Sequence, residues 1–410
     1  MTAPVALLDG ELALPATALR NRAVADPDED AVTLAAAAAL PLLERAGSAP
    51  CALVLASTSP PYDEGGSVQV LAELLGLAGD LVALELTASV ADGLTAIRVA
   101  AGLVASGDGP VLVVAAHRTR GERDAGDGAA ALLLAAHGGV ARLSPGRARV
   151  EELRDRWRLA AQADRAEGDP SFVWRHGVPR VAGELGDGPA GVIGPIAKEA
   201  ARAERGLGGP GDDVAPAVGV LGAAHPLARM LVGLASGGRL VAGASGLVEE
   251  LHVEPLDGAS AVADAARAVL GRERRAEPPD AVDWSALAPY QSGPRSWRER
   301  GQDLRLEGLR CVGCGALVFP QRPTCPACGS RELAVERLPR AGTVVTGTRD
   351  HVYPAGKATG MAVVELDGGG RFYGQVVPSA RVAIGDRVRL VPRRLHDGGG
   401  AAQYFWKVAP

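Results

Sequence analysis

The sharpest chemical signal in this sequence is a set of four cysteines, Cys311, Cys314, Cys325 and Cys328. They form two C-x2-C pairs separated by ten residues, and a glycine follows each pair where the backbone must turn tightly. Four thiolates at this spacing make a soft tetrahedral site that selects zinc or iron, whereas a redox dithiol needs only one such pair. Because four sulfurs fill the tetrahedron, we predict a structural zinc that performs no reaction.

A second stretch, residues 84–100 (LELTASVADGLTAIRVA), has the pattern of a sharp strand-to-helix turn. Such a turn is a favoured place for a nucleophile, because the N-terminus of the helix stabilises negative charge. The residue at the corner is Val90, which has no chemistry, and Asp92 is the only acid on the turn. Asp92 is therefore either an acid of a site or a cap of the helix.

The elements that would position these residues alternate along the first part of the chain. Apolar runs predict strands, of which 52–56 has the continuous pattern of a strand buried on both faces, and helical patterns lie between them. The predicted strands are 52–56, 82–86, 110–116, 130–135, 192–193 and 239–244, and the predicted helices are 30–46, 68–75, 94–106, 197–203 and 226–235. This alternation predicts an α/β layered fold, with a faint similarity between two halves.

The last part of the chain has a different composition. Proline and charge accumulate between about residues 272 and 304, which predicts a linker or an extended arm. Short β-type runs after the cysteines predict a small all-β barrel that carries much of the aromatic content. Aromatic side chains can form stacking platforms for nucleic acid, but neighbours such as Phe372 and Tyr373 point to opposite faces of a strand, so about half must be core.

The bulk composition of the 410 residues argues against several classes of protein. A net charge of −5 gives no general attraction to nucleic acid or to acidic membranes. The sequence contains no apolar run of about 18 residues and no signal-peptide pattern at its N-terminus. The fifth cysteine, Cys51, opens a buried strand and is expected to be a core residue. We therefore expect a cytoplasmic protein that binds no membrane.

From about residue 297 to residue 410 the chain resembles the acyl-CoA-associated OB-fold family, whose members carry an N-terminal rubredoxin-like zinc ribbon. The motifs that carry this resemblance are LRCVGCGALVFPQRPTCPACGS, GTVVTGT, MAVVELDGGGRFYGQVV and IGDRVRLV. Members of that family partner thiolase-like proteins and help to build their acyl-CoA sites. The resemblance therefore implies acyl-thioester chemistry for the first part of the chain.

Residues 26–246 resemble the hydroxymethylglutaryl-CoA synthase-like branch of the thiolase superfamily. The motifs LVLASTSPPYDEG, VLVVAAHRTR, AGDGAAALLLA and VGVLGAAHPLARML occur in the order that the family has. The resemblance implies an α/β, thiolase-like five-layer αβαβα domain, usually dimeric, followed by the zinc ribbon and a small OB-type β-barrel. The expected domains are 1–145 and 146–285 for the thiolase-like halves, 286–340 for the linker arm and ribbon, and 341–410 for the barrel.

The residues of the family's covalent mechanism are missing at the matching positions. The nucleophilic cysteine aligns on Val90, the general acid–base glutamate on Thr58, and the glycine-loop asparagine on Val220. The position nearest the family histidine is Ile193. Without a thiolate there is no acyl-enzyme, and without an adjacent base nothing activates one. A degenerate Cys-His-Glu site therefore excludes the usual ping-pong condensation.

The candidates for a replacement site are polar residues near these positions. His225 starts a helix in a loop that borders the family's active site, where it would be a neutral base or a hydrogen-bond donor, or would only cap or pack. Ser89 precedes the lost cysteine position as a nucleophile, an oxyanion donor or a small packing residue. Thr58, Tyr62 and His117 lie on loops that follow strand ends, where such folds place their sites.

Three functions fit these observations. The first is an enzyme of secondary metabolism that acts on acyl-CoA or acyl-carrier thioesters without the cysteine, by acyl transfer or by forming or breaking a C–C bond, as in a retro-aldolase on a β-hydroxyacyl-CoA. The second is a non-catalytic thiolase-like scaffold subunit of a multi-protein acyltransferase complex. The third is nucleic-acid binding through the barrel, which the acidic net charge disfavours. The expected protein partner is a second copy of the chain or a cysteine-containing homologue.

Overall fold

The computed structural model describes residues 3–77, 79–107, 109–120, 122, 124–158, 166–186, 188–277, 293–351, 358–398 and 401–410. These residues form two compact units. The larger unit contains most of the chain up to Glu277. The smaller unit contains Asp26–Glu29, Glu73–Gly76 and the described chain beyond residue 277.

The elements up to residue 135 agree with the predicted alternation. The strands are β1 Val5–Ala13, β2 Thr17–Leu19, β3 Arg22–Val24, β4 Ala52–Ser57, β5 Val82–Leu86, β6 Val111–His117 and β7 Gly128–Ala135. The helices are α1 Ala31–Arg45, α2 Ser67–Leu75 and α3 Asp92–Ser106. Every strand and helix predicted in this part is confirmed within two residues, and β1 to β3 are additional.

The elements from residue 141 to residue 270 include several that were not predicted. The strands are β8 Ala141–Val150, β9 Arg156–Trp157, β10 Ala166–Glu167, β11 Gly191–Ile193, β12 Gly238–Ala244 and β13 Leu247–Pro255. The α-helices are α4 Pro170–His176, α5 Val178–Leu185, α6 Ala197–Gly206, α7 Val214–Val218, α8 His225–Val232 and α9 Ala259–Leu270, and a 3-10 turn spans Gly222–Ala224. The predicted elements β11, β12, α6 and α8 are confirmed.

A nine-stranded sheet is the framework of the larger unit, in the order β11-β12-β13-β8-β1-β7-β6-β4-β5. β1 and β8 form an antiparallel pair inside it, and the same topology runs outward from each. β1 pairs with β7, β7 with β6 and β6 in parallel with β4; likewise β8 pairs with β13, β13 with β12 and β12 in parallel with β11. The faint repeat in the sequence is therefore a clear repeat in strand order.

Helices separate and cover the two half-sheets. α3 contacts β4 and β6 of the first half and β8 and β13 of the second, and it packs against α8. α1 lies on β7, β1 and β6, and α5 and α6 lie on β11, β12 and β13. The order of helix, half-sheet, central helices, half-sheet and helix confirms the predicted thiolase-like αβαβα domain.

Local sequence explains the elements that matter for the site. All residues of β4 and β6 are buried, as their apolar runs predict. The acidic start of α1 is a capping box, in which the Asp30 carboxylate accepts the Thr33 amide at 3.0 Å and the Thr33 hydroxyl accepts the Asp30 amide at 2.8 Å. β5 differs, because it ends the sheet and leaves Val82 51% and Leu84 37% exposed.

The smaller unit contains a helix, a ribbon and a barrel. Its elements are α10 Gly293–Asp303, β14 Glu307–Cys311, β15 Leu317–Val318, β16 Leu333–Arg337, β17 Ala341–Asp350, β18 Thr359–Leu366, β19 Arg371–Gln375, β20 Arg387–Gly398 and β21 Ala401–Ala409. Residues 293–303 of the predicted linker or extended arm form the helix α10, where an i,i+4 ion pair joins Arg295 to Glu299 at 2.9 Å. Residues 278–292 of the predicted linker lie outside the described residues.

The barrel sheet has the order β19-β18-β17-β20-β21 and is nearly closed. A parallel bridge joins Val376, directly after β19, to Val408 of β21. Phe372 and Trp406 are fully buried, whereas Tyr373 is 58% exposed, as the alternation of adjacent aromatics predicts. Among the helices of the described residues, none is long and apolar enough to cross a membrane.

Candidate active site and metal centre

The four ribbon cysteines converge as their spacing predicts. Their sulfur atoms lie within 4.8 Å of one another. The Sγ–Sγ distance is 3.6 Å both for Cys311–Cys328 and for Cys314–Cys325. A tetrahedral zinc with Zn–S bonds of about 2.3 Å places its sulfur ligands about 3.8 Å apart, so this set fits the ion.

The two C-x2-C turns have the same backbone geometry. Gly315 donates its amide to the Cys311 carbonyl and Gly329 to the Cys325 carbonyl, both at 2.9 Å. Both glycines have a φ of +75°, which favours glycine over any residue with a Cβ. The Cys314 amide is the main cause that lowers the pKa of the Cys311 thiol, whereas the neighbouring thiols raise the pKa of Cys314.

Asp92 holds the strand-to-helix turn between β5 and α3. Its Oδ2 accepts the amides of Ala88 at 2.6 Å and Ser89 at 2.8 Å. Burial raises the pKa of this carboxyl group, which the two amides oppose. The N-terminus of α3 has no side-chain cap, so the carboxylate fixes the turn before the helix and does not cap it.

The turn also uses the hydroxyl of Ser89. Ser89 Oγ accepts the Ala91 amide at 3.1 Å and donates to the Ala244 carbonyl at 3.4 Å, and the residue is only 4% exposed. Val90, the corner residue, is 7% exposed. The Ser89 hydroxyl therefore serves the packing of the turn, and an apolar side chain stands at its corner.

A cavity of about 1280 Å³ opens at this turn, within the larger unit. Its wall includes Ser89 and Val90 together with Thr58, Tyr62 and His117. The parallel strands β4 and β6 pair in register up to Ser57 and Ala116, so the residues that follow their ends are neighbours. Three of the predicted loop residues are therefore brought together at one cavity.

Thr58 and His117 form a polar pair in the cavity wall. Thr58 Oγ1 lies 2.9 Å from His117 Nδ1, and Ser59 Oγ lies 3.4 Å from the same nitrogen. Ser59 Oγ also accepts the Arg118 amide at 2.7 Å, which ties the two loops together. The imidazole is 2% exposed and is therefore held in a fixed orientation.

Gly222 makes room for this pair. A Cβ on Gly222 would lie 2.4 Å from Thr58 Oγ1 and 2.5 Å from His117 Nδ1, and the residue has a φ of +48°. Any larger residue would displace the pair or strain the backbone. The loop that carries the family's asparagine position thus packs against Thr58 and His117.

The four positions that align with the family's catalytic residues do not all lie at the cavity. Val90, Thr58 and Val220 all line the cavity. Ile193 is buried at the end of β11, and Pro195 and Ile196 of the following loop line the cavity instead. Three positions thus meet at one wall, two of them apolar.

His225, the leading sequence candidate, is not part of the described cavity wall. Its Nε2 lies 2.9 Å from Asp212 Oδ2, and its Nδ1 accepts the Leu221 amide at 3.3 Å. Although burial alone would raise the pKa of Asp212, His225 and Arg229 hold it well below its ordinary value. Both ring nitrogens of His225 thus bond to residues that do not line the described cavity.

Among the described residues of the wall there is no cysteine. Cys51 precedes β4, whereas Thr58 follows it, and a six-residue strand spans about 20 Å. The side chain of Cys51 lies against Gly109, at the opposite end of the strand from the cavity. The thiol therefore plays no part in the site.

Sequence reasoning missed the charged part of the wall. Arg120, Arg156, Trp157 and Arg158 line the cavity with several carboxylates. Arg120 follows His117 on the same loop, which is a usable signal. Arg156 and Trp157 form the short strand β9 and Arg158 follows it, and this segment has no periodicity from which it could be predicted.

The fold of the larger unit is that of the thiolase-like HMG-CoA synthases. One similar structure is MvaS in complex with 3-hydroxy-3-methylglutaryl coenzyme A, 18% identical with a TM-score of 0.55, over 71% of this chain and 95% of that one. Another is the curacin biosynthetic pathway HMG synthase in complex with holo donor-ACP, 19% identical with a TM-score of 0.54, over 67% and 86%. At identities this low, the structural similarity establishes the fold alone.

The C-terminal part defines the family. Residues 298–334 match the ChsH2 rubredoxin-like zinc ribbon domain. The chain is 35% identical over 125 residues to a DUF35 domain-containing scaffold protein of Methanocaldococcus jannaschii, which is 28% of this chain and 89% of that protein. It is 33% identical over 124 residues to the one from Pyrococcus furiosus, 28% and 90%. Because the match covers about nine tenths of each relative, the chain belongs to the DUF35 domain-containing scaffold protein family.

Loss of one ribbon cysteine should remove the metal. We expect Cys325→Ser, at a buried ligand position, to abolish zinc binding and to unfold the ribbon, because three thiolates leave the tetrahedron open. Metal analysis of the purified protein should fall from one zinc per chain to nearly none. Cys51→Ser is the matched control and should keep its zinc; full zinc in Cys325→Ser would contradict the assignment.

Substitution of Asp92 should separate its charge from its hydrogen bonds. Asp92→Ala leaves two amides without an acceptor and should cost about 1–3 kcal/mol of unfolding free energy. Asp92→Asn keeps an acceptor oxygen and should be far less destabilising. Denaturant titrations of the two variants measure this difference.

The stability of the wild type relative to Asp92→Asn should also depend on pH. Because burial raises the Asp92 pKa above its ordinary 3.8, the folded wild type holds this proton more tightly than the unfolded chain. The wild type should therefore lose stability relative to Asp92→Asn as pH rises from about 3.8 through the raised value. Parallel pH profiles for the two proteins would show that the carboxylate is not held in the buried position.

Proposed function

We propose that this protein binds an acyl thioester in the cavity at the β5–α3 turn and acts on it by acid–base chemistry, without an acyl-enzyme. The observation that carries this proposal is the Thr58–His117 pair, with its 2.9 Å contact, in a cavity wall where Val90 replaces a nucleophile. Structures with the same fold support a thioester ligand, since one is a complex with a coenzyme A thioester and another a complex with a donor acyl carrier protein.

The Thr58–His117 pair favours the breaking of a C–C bond over acyl transfer. Acyl transfer through a covalent intermediate needs an activated nucleophile, and the Ser89 hydroxyl is committed to Ala91 and Ala244. Cleavage of a β-hydroxyacyl thioester needs only a base that takes the hydroxyl proton. The C–C bond then breaks to give a carbonyl compound and a thioester enolate, which takes the proton back.

His117 is the residue that we assign to this proton transfer. The Thr58 and Ser59 hydroxyls both approach Nδ1, so they hold the orientation of the ring. Gly222 leaves space for this arrangement. Thr58 is a positioning residue in this scheme, and His117 is the acid–base group.

A scaffold is the second candidate, because the family that the chain belongs to is named for scaffold proteins. In that case the cavity would bind a thioester without converting it. Its partner would be a cysteine-containing homologue that performs the reaction.

Replacement of His117 distinguishes the two candidates. His117→Ala should lower kcat on a 3-hydroxyacyl-CoA by about 10²–10⁴-fold, the usual contribution of a general acid–base group, with binding of the thioester retained. Release of the shorter acyl-CoA, followed by chromatography, measures the rate. His137→Ala changes an exposed histidine as a control. A wild-type protein that binds thioesters but never cleaves them would support the scaffold instead.

We also propose that two copies of the chain pair through β5. This strand ends the sheet, no described strand pairs with its outer edge, and Val82 and Leu84 are exposed on it. Apolar edge strands are covered in soluble proteins, and a two-fold antiparallel pairing of identical edges is a closed solution. Because β5 leads directly into the cavity turn, such pairing would also support the site.

Leu84→Arg should convert the dimer to a monomer, because it places a charge at the paired edge. Light scattering coupled to size-exclusion chromatography measures the mass at several concentrations. Leu256→Arg is the control, since Leu256 is 38% exposed against 37% for Leu84. A wild-type monomer, or a Leu84→Arg protein that stays dimeric, would refute pairing through β5.

A further inference from the structure

The cavity holds two guanidinium groups that the proposed chemistry does not use. Arg120 lies three residues after His117, and Arg158 follows β9. Both line the cavity. Two like charges in one partly desolvated space repel each other unless negative charge neutralises them.

Arg158 is held in place but incompletely neutralised. Its side chain is 18% exposed, and its ion pair with Glu122 is 3.6 Å long, beyond normal hydrogen-bond length. Its Nε is buried and has no hydrogen-bond partner among the described residues. Buried guanidinium donors are ordinarily bonded, so this nitrogen marks an unfilled position.

Arg120 lies close enough to Arg158 for the two positive charges to interact. Partial burial, and next the charge of Arg158, lower its pKa, while Asp63 and Glu122 only partly offset them. Its guanidinium donates to the carbonyl of Pro60. An arginine stays protonated in this setting, and an anion bound beside both guanidinium groups would relieve their mutual repulsion.

The other charged groups of the wall have closer partners. Arg156 pairs with Glu167 at 3.1 Å. Glu85 accepts the amides of Ser67 at 2.8 Å and Val68 at 3.1 Å at the start of α2. The wall also carries Asp63, Glu64 and Asp124, so the unfilled position is defined by the Arg158 nitrogen and not by the net charge of the wall.

We propose that Arg120 and Arg158 form a subsite for an oxyanion of the bound thioester, a carboxylate or a phosphate. Guanidinium groups match the planar carboxylate and the phosphate equally well. Arg120 bonds to Pro60, two residues after Thr58, so the subsite lies beside the Thr58–His117 pair. The inference rests on the proposed function and deepens it: the anion is either a phosphate of the coenzyme or carrier arm, or a carboxylate on the acyl chain.

Three thioesters separate these sources. S-acetylpantetheine has no anion, acetyl-CoA adds phosphates, and S-succinylpantetheine adds a carboxylate on the acyl chain. Calorimetry should measure each, together with inorganic pyrophosphate, against wild type, Arg120→Gln, Arg158→Gln and the control Arg154→Gln. Arg154 is exposed, pairs with Glu152 and does not line the described cavity.

We expect the two subsite variants to bind one anionic thioester about tenfold or more weakly, since a charge-assisted hydrogen bond is lost. Binding of S-acetylpantetheine should stay unchanged in all four proteins. Loss confined to acetyl-CoA identifies a phosphate, and loss confined to S-succinylpantetheine identifies a carboxylate. Equal affinity of the subsite variants and wild type for both anionic thioesters overturns the subsite.

The outcomes also keep the two proposals apart. If wild type binds thioesters and the arginine variants change nothing, the subsite fails and the proposed function stands. If wild type binds no thioester but binds pyrophosphate through these arginines, the oxyanion subsite stands and the proposed function fails. Binding of neither probe refutes both.

Discussion

The burial of β4 and β6 on both faces is the constraint on which the site depends. Every residue of these two parallel strands is buried between helices, so a polar side chain inside either strand would need a partner there. Polar groups can therefore appear only where the strands end. Because the pair is parallel and in register, both ends open at one edge, and Thr58, His117 and the turn after β5 meet there.

The turn after β5 keeps its geometry without a nucleophile because its bonds do not involve the corner side chain. Asp92 accepts two amides of the turn, and the Ser89 hydroxyl bridges Ala91 and Ala244. Val90 contributes only apolar contact at the cavity wall. A change at the corner therefore leaves the backbone in place, which makes the cavity compatible with chemistry that needs no covalent intermediate.

The sequence was sufficient for elements whose pattern has one structural solution. The buried runs of β4 and β6, the acidic cap of α1 and the cysteine spacing of the ribbon were all predicted, because burial, capping and metal geometry each act locally. β1, β8 and β13 were missed, since their polar residues interrupt the apolar pattern. The exposure of β5 was also not predictable, because a short apolar run is the same at the centre and at the edge of a sheet.

The two histidines show why residue type and position alone do not define a site. His225 begins a helix in the expected loop, but Asp212 and the Leu221 amide occupy both of its ring nitrogens. His117 ends a buried strand, and its Nδ1 meets Thr58 in the cavity wall. The difference lies in residues distant in sequence, since Asp212 bonds to the His225 ring and Gly222 leaves space for the Thr58–His117 pair. The loop that carries Val220 and Gly222 therefore contacts both histidines. His225 accepts the Leu221 amide of this loop, and Gly222 leaves space for the Thr58–His117 pair.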